Sequence, residues 1–209
     1  MSMRPFACAC CGAQLIPPGL ERRSFLRFVA AGTAGLALAP RIGRAQSPGV
    51  QSPTPYKAML LSCVDPRTQA PIAEWMNMPV ADSHATSLLG KYSQFTIAGA
   101  AVGVIAPYFS QAWKDTFWDN FGATIQLHRI ENLVSVDHSN CGAVGIAYGQ
   151  DVLSDPKLEL SAHMDAAEEL KHQLMLRHPD AGFQAWYVTR DSAGKFTNWR
   201  TLIPGPVIG

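Results

Sequence analysis

Lys57-Ala58-Met59-Leu60-Leu61-Ser62-Cys63-Val64-Asp65-Pro66-Arg67 is the stretch on which the fold class turns. Lys57–Val64 is a short apolar run with the length of a buried strand, and it stops in a polar motif, Cys63-x-Asp65-x-Arg67. The pattern recurs downstream, where the apolar run Ile130–Val136 leads into His138-Ser139-Asn140-Cys141. Between them, Tyr92–Ala98 is a further candidate strand that ends at Gly99-Ala100. Pro107 to about His128 reads as a helix with Pro107 in its first turn. Phe109, Trp113, Phe117 and Phe121 recur every four residues on one bulky face, as core packing does. Pro156 to about Arg177 is a second helix, with Asp155 as N-cap and Pro156 at the first position. Phe183–Arg190 and Lys195–Leu202 flank Asp191-Ser192-Ala193-Gly194, which suits a hairpin turn. This order predicts an α/β domain: a mainly parallel sheet flanked by helices, closed by a C-terminal hairpin.

Open sheets of this kind bind ligands beyond the carboxyl ends of their strands. Both polar motifs fall there. So does Ala98-Gly99-Ala100-Ala101, whose small side chains let backbone come close to a ligand. Ala98, Gly99 and Gly142 are the candidate pocket residues.

The whole-chain numbers are consistent with one domain. At 209 residues, 47% hydrophobic and 16% charged, the chain is long and apolar enough for a sizeable core. Its net charge of +1 hides an asymmetry. Residues 1–45 hold six arginines and one acid, which leaves eleven basic and fifteen acidic residues, a net of −4, in the rest. A slightly acidic body without basic runs argues against nucleic acid as a partner.

Residues 1–45 read as an address. Glu21-Arg22-Arg23-Ser24-Phe25-Leu26-Arg27 is similar to the twin-arginine export signal. The apolar stretch that follows, Phe28 to Ala39, is too short to span a bilayer and ends before a small-residue cleavage site, Gly43-Arg44-Ala45. The translocase of that pathway is thus an expected partner, the periplasm or another exported location the expected destination, and no stable membrane span is expected in the mature chain. Residues 46–56, rich in Pro, Ser and Gln, read as a linker, and 57–209 as the folded domain. Cys8, Cys10 and Cys11 would leave with the leader, so the mature chain keeps Cys63 and Cys141.

Those two cysteines and His138 are the ligand set of an open zinc site. Structural zinc is usually closed by four protein ligands, whereas a catalytic site has three and leaves a position for water. One zinc per chain is expected on Cys63, His138 and Cys141. If the strand continued through the first motif, Cys63, Asp65 and Arg67 would share a face; Pro66 favours a turn instead. Gly142-Ala143 is placed to open a short helix to about Tyr148. A thiol at a helix start favours the thiolate that a metal needs. Asp65 has two available roles. It can be a conditional fourth ligand that closes the site, or it can be held by Arg67 and accept a hydrogen bond from water.

Cys63-x-Asp65-x-Arg67 followed by His138-x-x-Cys141-Gly142 resembles the β-class carbonic anhydrases, in a divergent exported bacterial branch. The resemblance covers residues 57–203 as an order of elements, with only the two motifs specific. It implies zinc on Cys63, His138 and Cys141, an Asp65–Arg67 catalytic dyad, reversible hydration of carbon dioxide to bicarbonate, and dimers or larger assemblies. Three departures stand out. Pro66 lies where the family has Ser or Thr. Thr96-Ile97-Ala98-Gly99-Ala100 keeps only Ala-Gly of the family's Arg-Asn-Ala-Gly-Asn. The N-terminal helical arm is replaced by the Pro-rich linker.

Other chemistries remain open on the same residues. The same hydroxide would hydrolyse carbonyl sulfide or carbon disulfide, and the apolar segment at Gly99 suits such a substrate. A non-catalytic zinc or redox-sensing protein is the alternative of a different class, with Cys63 and Cys141 cycling through a disulfide. A phosphatase loop needs five residues between Cys and Arg, and here only three intervene, one of them acidic. His84, His128, His163, His172 and His178 read as surface or capping residues, with a proton shuttle as the functional alternative. Trp75, Met76 and Met78 read as core packing, the alternative being a place at the mouth of the site.

Overall fold

The computed structural model describes residues 56–209. The export signal, Cys8, Cys10, Cys11 and all but the last residue of the linker lie outside the described residues. The elements follow in the order β1 (Ala58–Ser62), α1 (Pro66–Asn77), β2 (Tyr92–Thr96), α2 (Ala101–Ile105), α3 (Gln111–His128), β3 (Asn132–His138), α4 (Gly142–Tyr148), α5 (Gln150–Ser154), α6 (Pro156–Arg177), β4 (Gly182–Arg190) and β5 (Phe196–Ile203). They form one five-stranded sheet of order β2-β1-β3-β4-β5. β2, β1, β3 and β4 run parallel, and β5 returns antiparallel to β4. This is the expected α/β architecture with its C-terminal hairpin.

β1 and β3 are apolar because they are buried on both faces. Met59, Leu61 and Leu133 pack with Val102, Phe117, Phe121, Leu170 and Leu174 on one side of the sheet. Leu60, Val134 and Val136 pack with Ile72, Trp75 and Met76 of α1 on the other. The chain passes from β2 over β1 to β3, so the strand order reverses at the β1/β3 pair, and a ligand crevice opens at such a reversal. Both polar motifs begin at the carboxyl ends of these two neighbouring strands.

Three details differ from the sequence expectation. The bulky helix begins at Gln111, four residues later than Pro107, which falls in the turn after α2, and Phe109 precedes it while stacking on Trp113 at 4.7 Å. Of its stripe, Phe117 and Phe121 are fully buried, whereas Trp113 is exposed. A helix, α1, stands where Pro66 suggests only a turn: Asp65 caps it and Pro66 occupies its first turn, the same Asp-Pro start that Asp155 and Pro156 make on α6. Cys63, Asp65 and Arg67 therefore do not share a strand face. Finally, His84 and His163 are fully buried, so neither is a surface residue, and both owe this to partners brought in by tertiary packing. His128 ends α3 against Ser93, His172 is exposed beside Glu169, and His178 caps α6.

His84 holds the end of α1, its ring nitrogens 3.0 Å from Ser83 Oγ and 3.1 Å from Trp75 O. Burial lowers its pKa. The unfolded chain then takes up a proton before the folded one, so the contribution of neutral His84 is complete above about pH 6.5 and is lost as pH falls through the depressed folded value. Unfolding in urea at a series of pH values is expected to show this decline, and His84→Gln to flatten it. No helix among the described residues is long and apolar enough to cross a membrane.

Candidate metal centre

Cys63 is the first residue beyond β1, His138 the last of β3, and Cys141 the N-cap of α4. The turn between His138 and Cys141 is made by Asn140 at φ 55°, a left-handed conformation that asparagine tolerates better than most side chains. Cys63, His138 and Cys141 are all buried, and their ligand atoms lie within 4.8 Å of one another. Both cysteines are free thiols. These three residues could hold a metal ion.

Two observations show that a cation fits. His138 Nδ1 lies 3.0 Å from the Ser139 carbonyl, which can only accept, so Nδ1 carries the proton and Nε2 presents its lone pair. Nε2 is buried and has no hydrogen-bond partner. A buried acceptor left unmet costs free energy that a metal would recover. Around it, negative charge is concentrated. A hydrogen bond from Cys141 lowers the Cys63 thiol to about 4; burial opposes this, and His138 and the Gly99 amide add to it. The same closeness to Cys63 pushes Cys141 up. The pair thus ionises once readily and resists a second ionisation, the repulsion that a divalent cation relieves. Burial disfavours a charged His138, yet the Cys63 sulfur, the Ser139 carbonyl and Asp65 outweigh it and leave the imidazole pKa raised.

Asp65 and Arg67 form the rim. Asp65 Oδ1 accepts from the Arg67 backbone at 2.9 Å, which caps α1, and from Arg67 Nε at 2.9 Å. Asp65 Oδ2 accepts from Arg67 Nε at 3.0 Å and also from Nη2. The Arg67 hydrogen bonds hold the carboxylate down at about 2 against the opposing effect of burial. Asp65 is held by Arg67, and its Oδ2 lies 3.9 Å from His138 Nε2.

Of the candidate pocket residues, Gly99 is the one that touches a cysteine sulfur. The Gly99 amide donates to Cys63 Sγ at 3.3 Å. Ala98 is half-buried against the core, and Gly142, exposed, opens α4. Gly99 has φ +85°, and a Cβ there would lie 2.8 Å from Ala143 Cβ and 3.1 Å from Gly103 N. Gly99→Ala is therefore expected to cost about 2 kcal/mol, lowering the Tm by about 4–8 °C in thermal unfolding.

Sequence reasoning missed the contributions of Asn140, Arg190, Phe196, Glu159 and His163. Asn140 Oδ1 accepts from Arg67 Nη1 at 3.2 Å and from Arg190 Nη2 at 2.8 Å, and its carbonyl accepts from Arg67 Nη2 at 3.1 Å. Phe196 sets its ring edge-on to His138, with centroids 5.6 Å apart. Glu159, buried on α6, accepts the Cys141 amide at 2.8 Å. One turn on, His163 Nδ1 meets Asp137 Oδ1 at 2.9 Å, so α6 clamps the segment on both sides of His138. Its residues hold the ligand-bearing turn from behind, and such partners are worth roughly 10–100-fold in metal affinity. Glu159→Leu is expected to weaken zinc by about that factor in competition with a chromophoric chelator, and Glu159→Gln, which keeps an acceptor oxygen, by much less. Trp75 and Met76 are buried in the core, while exposed Met78 lines a cleft next to Arg67 that Trp75 backs.

No protein-family model matches the chain. An uncharacterised protein of Rickettsia conorii is 29% identical over 105 residues, which cover 50% of this chain and 52% of that protein. The chain thus spans about half the length of this curated relative. Among solved structures, a chain from the work on two tetrameric beta-carbonic anhydrases of the filamentous ascomycete Sordaria macrospora aligns with a TM-score of 0.47 at 10% identity, covering 88% of this chain and 100% of that one.

Proposed function

We propose that the chain is a zinc enzyme that reversibly hydrates carbon dioxide to bicarbonate. The observation that carries this reading is the buried Cys63–His138–Cys141 group, with the His138 Nε2 lone pair unmet and aimed among two thiols. Three protein donors of this type leave one position free, as catalytic zinc sites do. Zinc bound there supplies the Lewis acidity that makes water a nucleophile near neutral pH.

The chain's own residues do the rest. Asp65, kept ionised by Arg67, accepts a hydrogen bond from the attacking water and orients its lone pair toward the carbon. Arg67 ties up both Asp65 oxygens and so keeps the carboxylate from becoming a ligand. Asn140 in turn anchors Arg67. The Gly99 amide stabilises the Cys63 thiolate, and the Ser139 carbonyl fixes the His138 tautomer. The wider reading includes export by the twin-arginine pathway, which delivers folded, metal-loaded chains, and assembly as a homodimer.

Assaying zinc-loaded protein side by side on carbon dioxide and carbonyl sulfide tests the substrate assignment. Preferential turnover of carbon dioxide supports it. Turnover confined to carbonyl sulfide would move the site to the sulfur analogues, with the zinc reading intact.

A further inference from the structure

We propose that the cleft between α1 and the β4–β5 hairpin binds a small organic anion, a carboxylate carried on a flat apolar body. The cleft encloses about 560 Å³, and Trp75, Met78, Phe196, Trp199, Arg190 and Lys195 are among its lining residues. That volume lies within the roughly 300–1,000 Å³ usual for small-molecule sites. It far exceeds what the three heavy atoms of carbon dioxide need.

Charge indicates the sign of the ligand. Arg190 donates to Asn140 Oδ1 at 2.8 Å, and its guanidinium lies 5.3 Å from the Phe196 ring centroid. Arg67 donates to the same oxygen at 3.2 Å and lies 5.9 Å from the same ring. Two cations thus converge, while Asp65 neutralises Arg67 alone. Among the described residues no carboxylate forms an ion pair with Arg190, Lys195 has Asp191 as an acidic neighbour, and Glu74 is the acid among the cleft's lining residues. Like charges held together are unfavourable, and an anion between them relieves the repulsion. Arg190 is already fixed by Asn140 and by its stack on Phe196, so little freedom is lost when it pairs with a ligand.

The walls indicate the rest of the molecule. Trp199, half-buried and backed by the stacked ring of Trp75 with centroids 4.6 Å apart and planes 13° apart, presents with exposed Met78 an apolar surface suited to a flat body. A bare anion such as bicarbonate would leave that surface unused. The inference stands on this cleft and goes beyond the zinc reading.

Benzoate is the probe, titrated into the full chain by calorimetry and tryptophan fluorescence, with formate and benzamide as comparators. Zinc-loaded and chelator-stripped protein are run in parallel. Saturable benzoate binding is expected, roughly tenfold or more tighter than formate or benzamide and equal with and without zinc. Arg190→Gln, at an exposed position, is expected to weaken it by about tenfold or more, with the circular dichroism spectrum unchanged. Trp199→Leu should weaken benzoate and leave formate unaffected. Four results would each overturn the proposal: no saturation; formate binding as tightly as benzoate; affinity indifferent to both Arg190→Gln and Lys195→Gln; or loss of binding on removal of zinc, which would place the carboxylate on the metal. Binding is measured without turnover, so the cleft can hold benzoate whether or not the zinc site hydrates carbon dioxide.

Discussion

Cys141→Ala is expected to abolish stoichiometric zinc binding while leaving the fold in place. Cys141 is 1% exposed, and alanine fills nearly the same space. The change therefore removes a donor without opening a large cavity. Zinc sites built on such donors gain on the order of 10–16 kcal/mol, and here three protein donors would share it. Losing one should cost on the order of 3 kcal/mol or more, over a hundredfold in affinity. Metal analysis after dialysis against a chelator reads this directly. Thermal unfolding gives a second readout: zinc should raise the Tm of the wild-type chain and leave that of the variant almost unchanged. If the variant held zinc as tightly as wild type, Cys141 would not be a ligand.

Asp65→Asn is expected to lower carbon dioxide hydration by about 10²–10⁴-fold, the range for a positioned general acid or base, with zinc still bound at one per chain. Asparagine caps helices as well as aspartate does, so the hydrogen bond to the Arg67 amide and the start of α1 survive. What disappears is the charge that holds Arg67 and would accept a hydrogen bond from the attacking water. Arg67→Gln approaches the same centre from the other side. It frees a carboxylate whose Oδ2 lies 3.9 Å from His138 Nε2, and a cobalt-substituted sample should report the added oxygen ligand in its visible spectrum. Activity unchanged in Asp65→Asn would make the Asp65–Arg67 pair a helix cap and ion pair only.

Legibility from sequence follows the range of the interactions. Strands buried on both faces show as apolar runs, so β1 and β3 can be located, and the hairpin is marked by its Asp191–Gly194 turn. The Asp155-Pro156 start of α6 is also readable, because N-capping is local. Asp65-Pro66 carries the same signature, yet Pro66 sits so close to the strand and to the motif that it reads as a turn. The onset of α3 is masked because Pro107 falls in a turn between two helices, where aromatic stacking of Phe109 on Trp113 extends the apolar pattern beyond the helix itself. The Cys63, His138 and Cys141 cluster is visible because residue type and spacing carry it. The roles of Glu159, His163, Arg190 and Phe196 are not, since each meets the centre only through tertiary packing. Asn140 lies inside the motif, but its role depends on a left-handed turn and on two guanidinium groups from distant parts of the chain.

The most direct test of the central claim is carbon dioxide hydration by the zinc-loaded full chain, followed from about pH 6 to 9, the range that brackets zinc-activated water, beside Cys63→Ala. Turnover that rises with pH and vanishes in the variant is the predicted result. No turnover at any pH, with one zinc shown to be bound per chain, would contradict it.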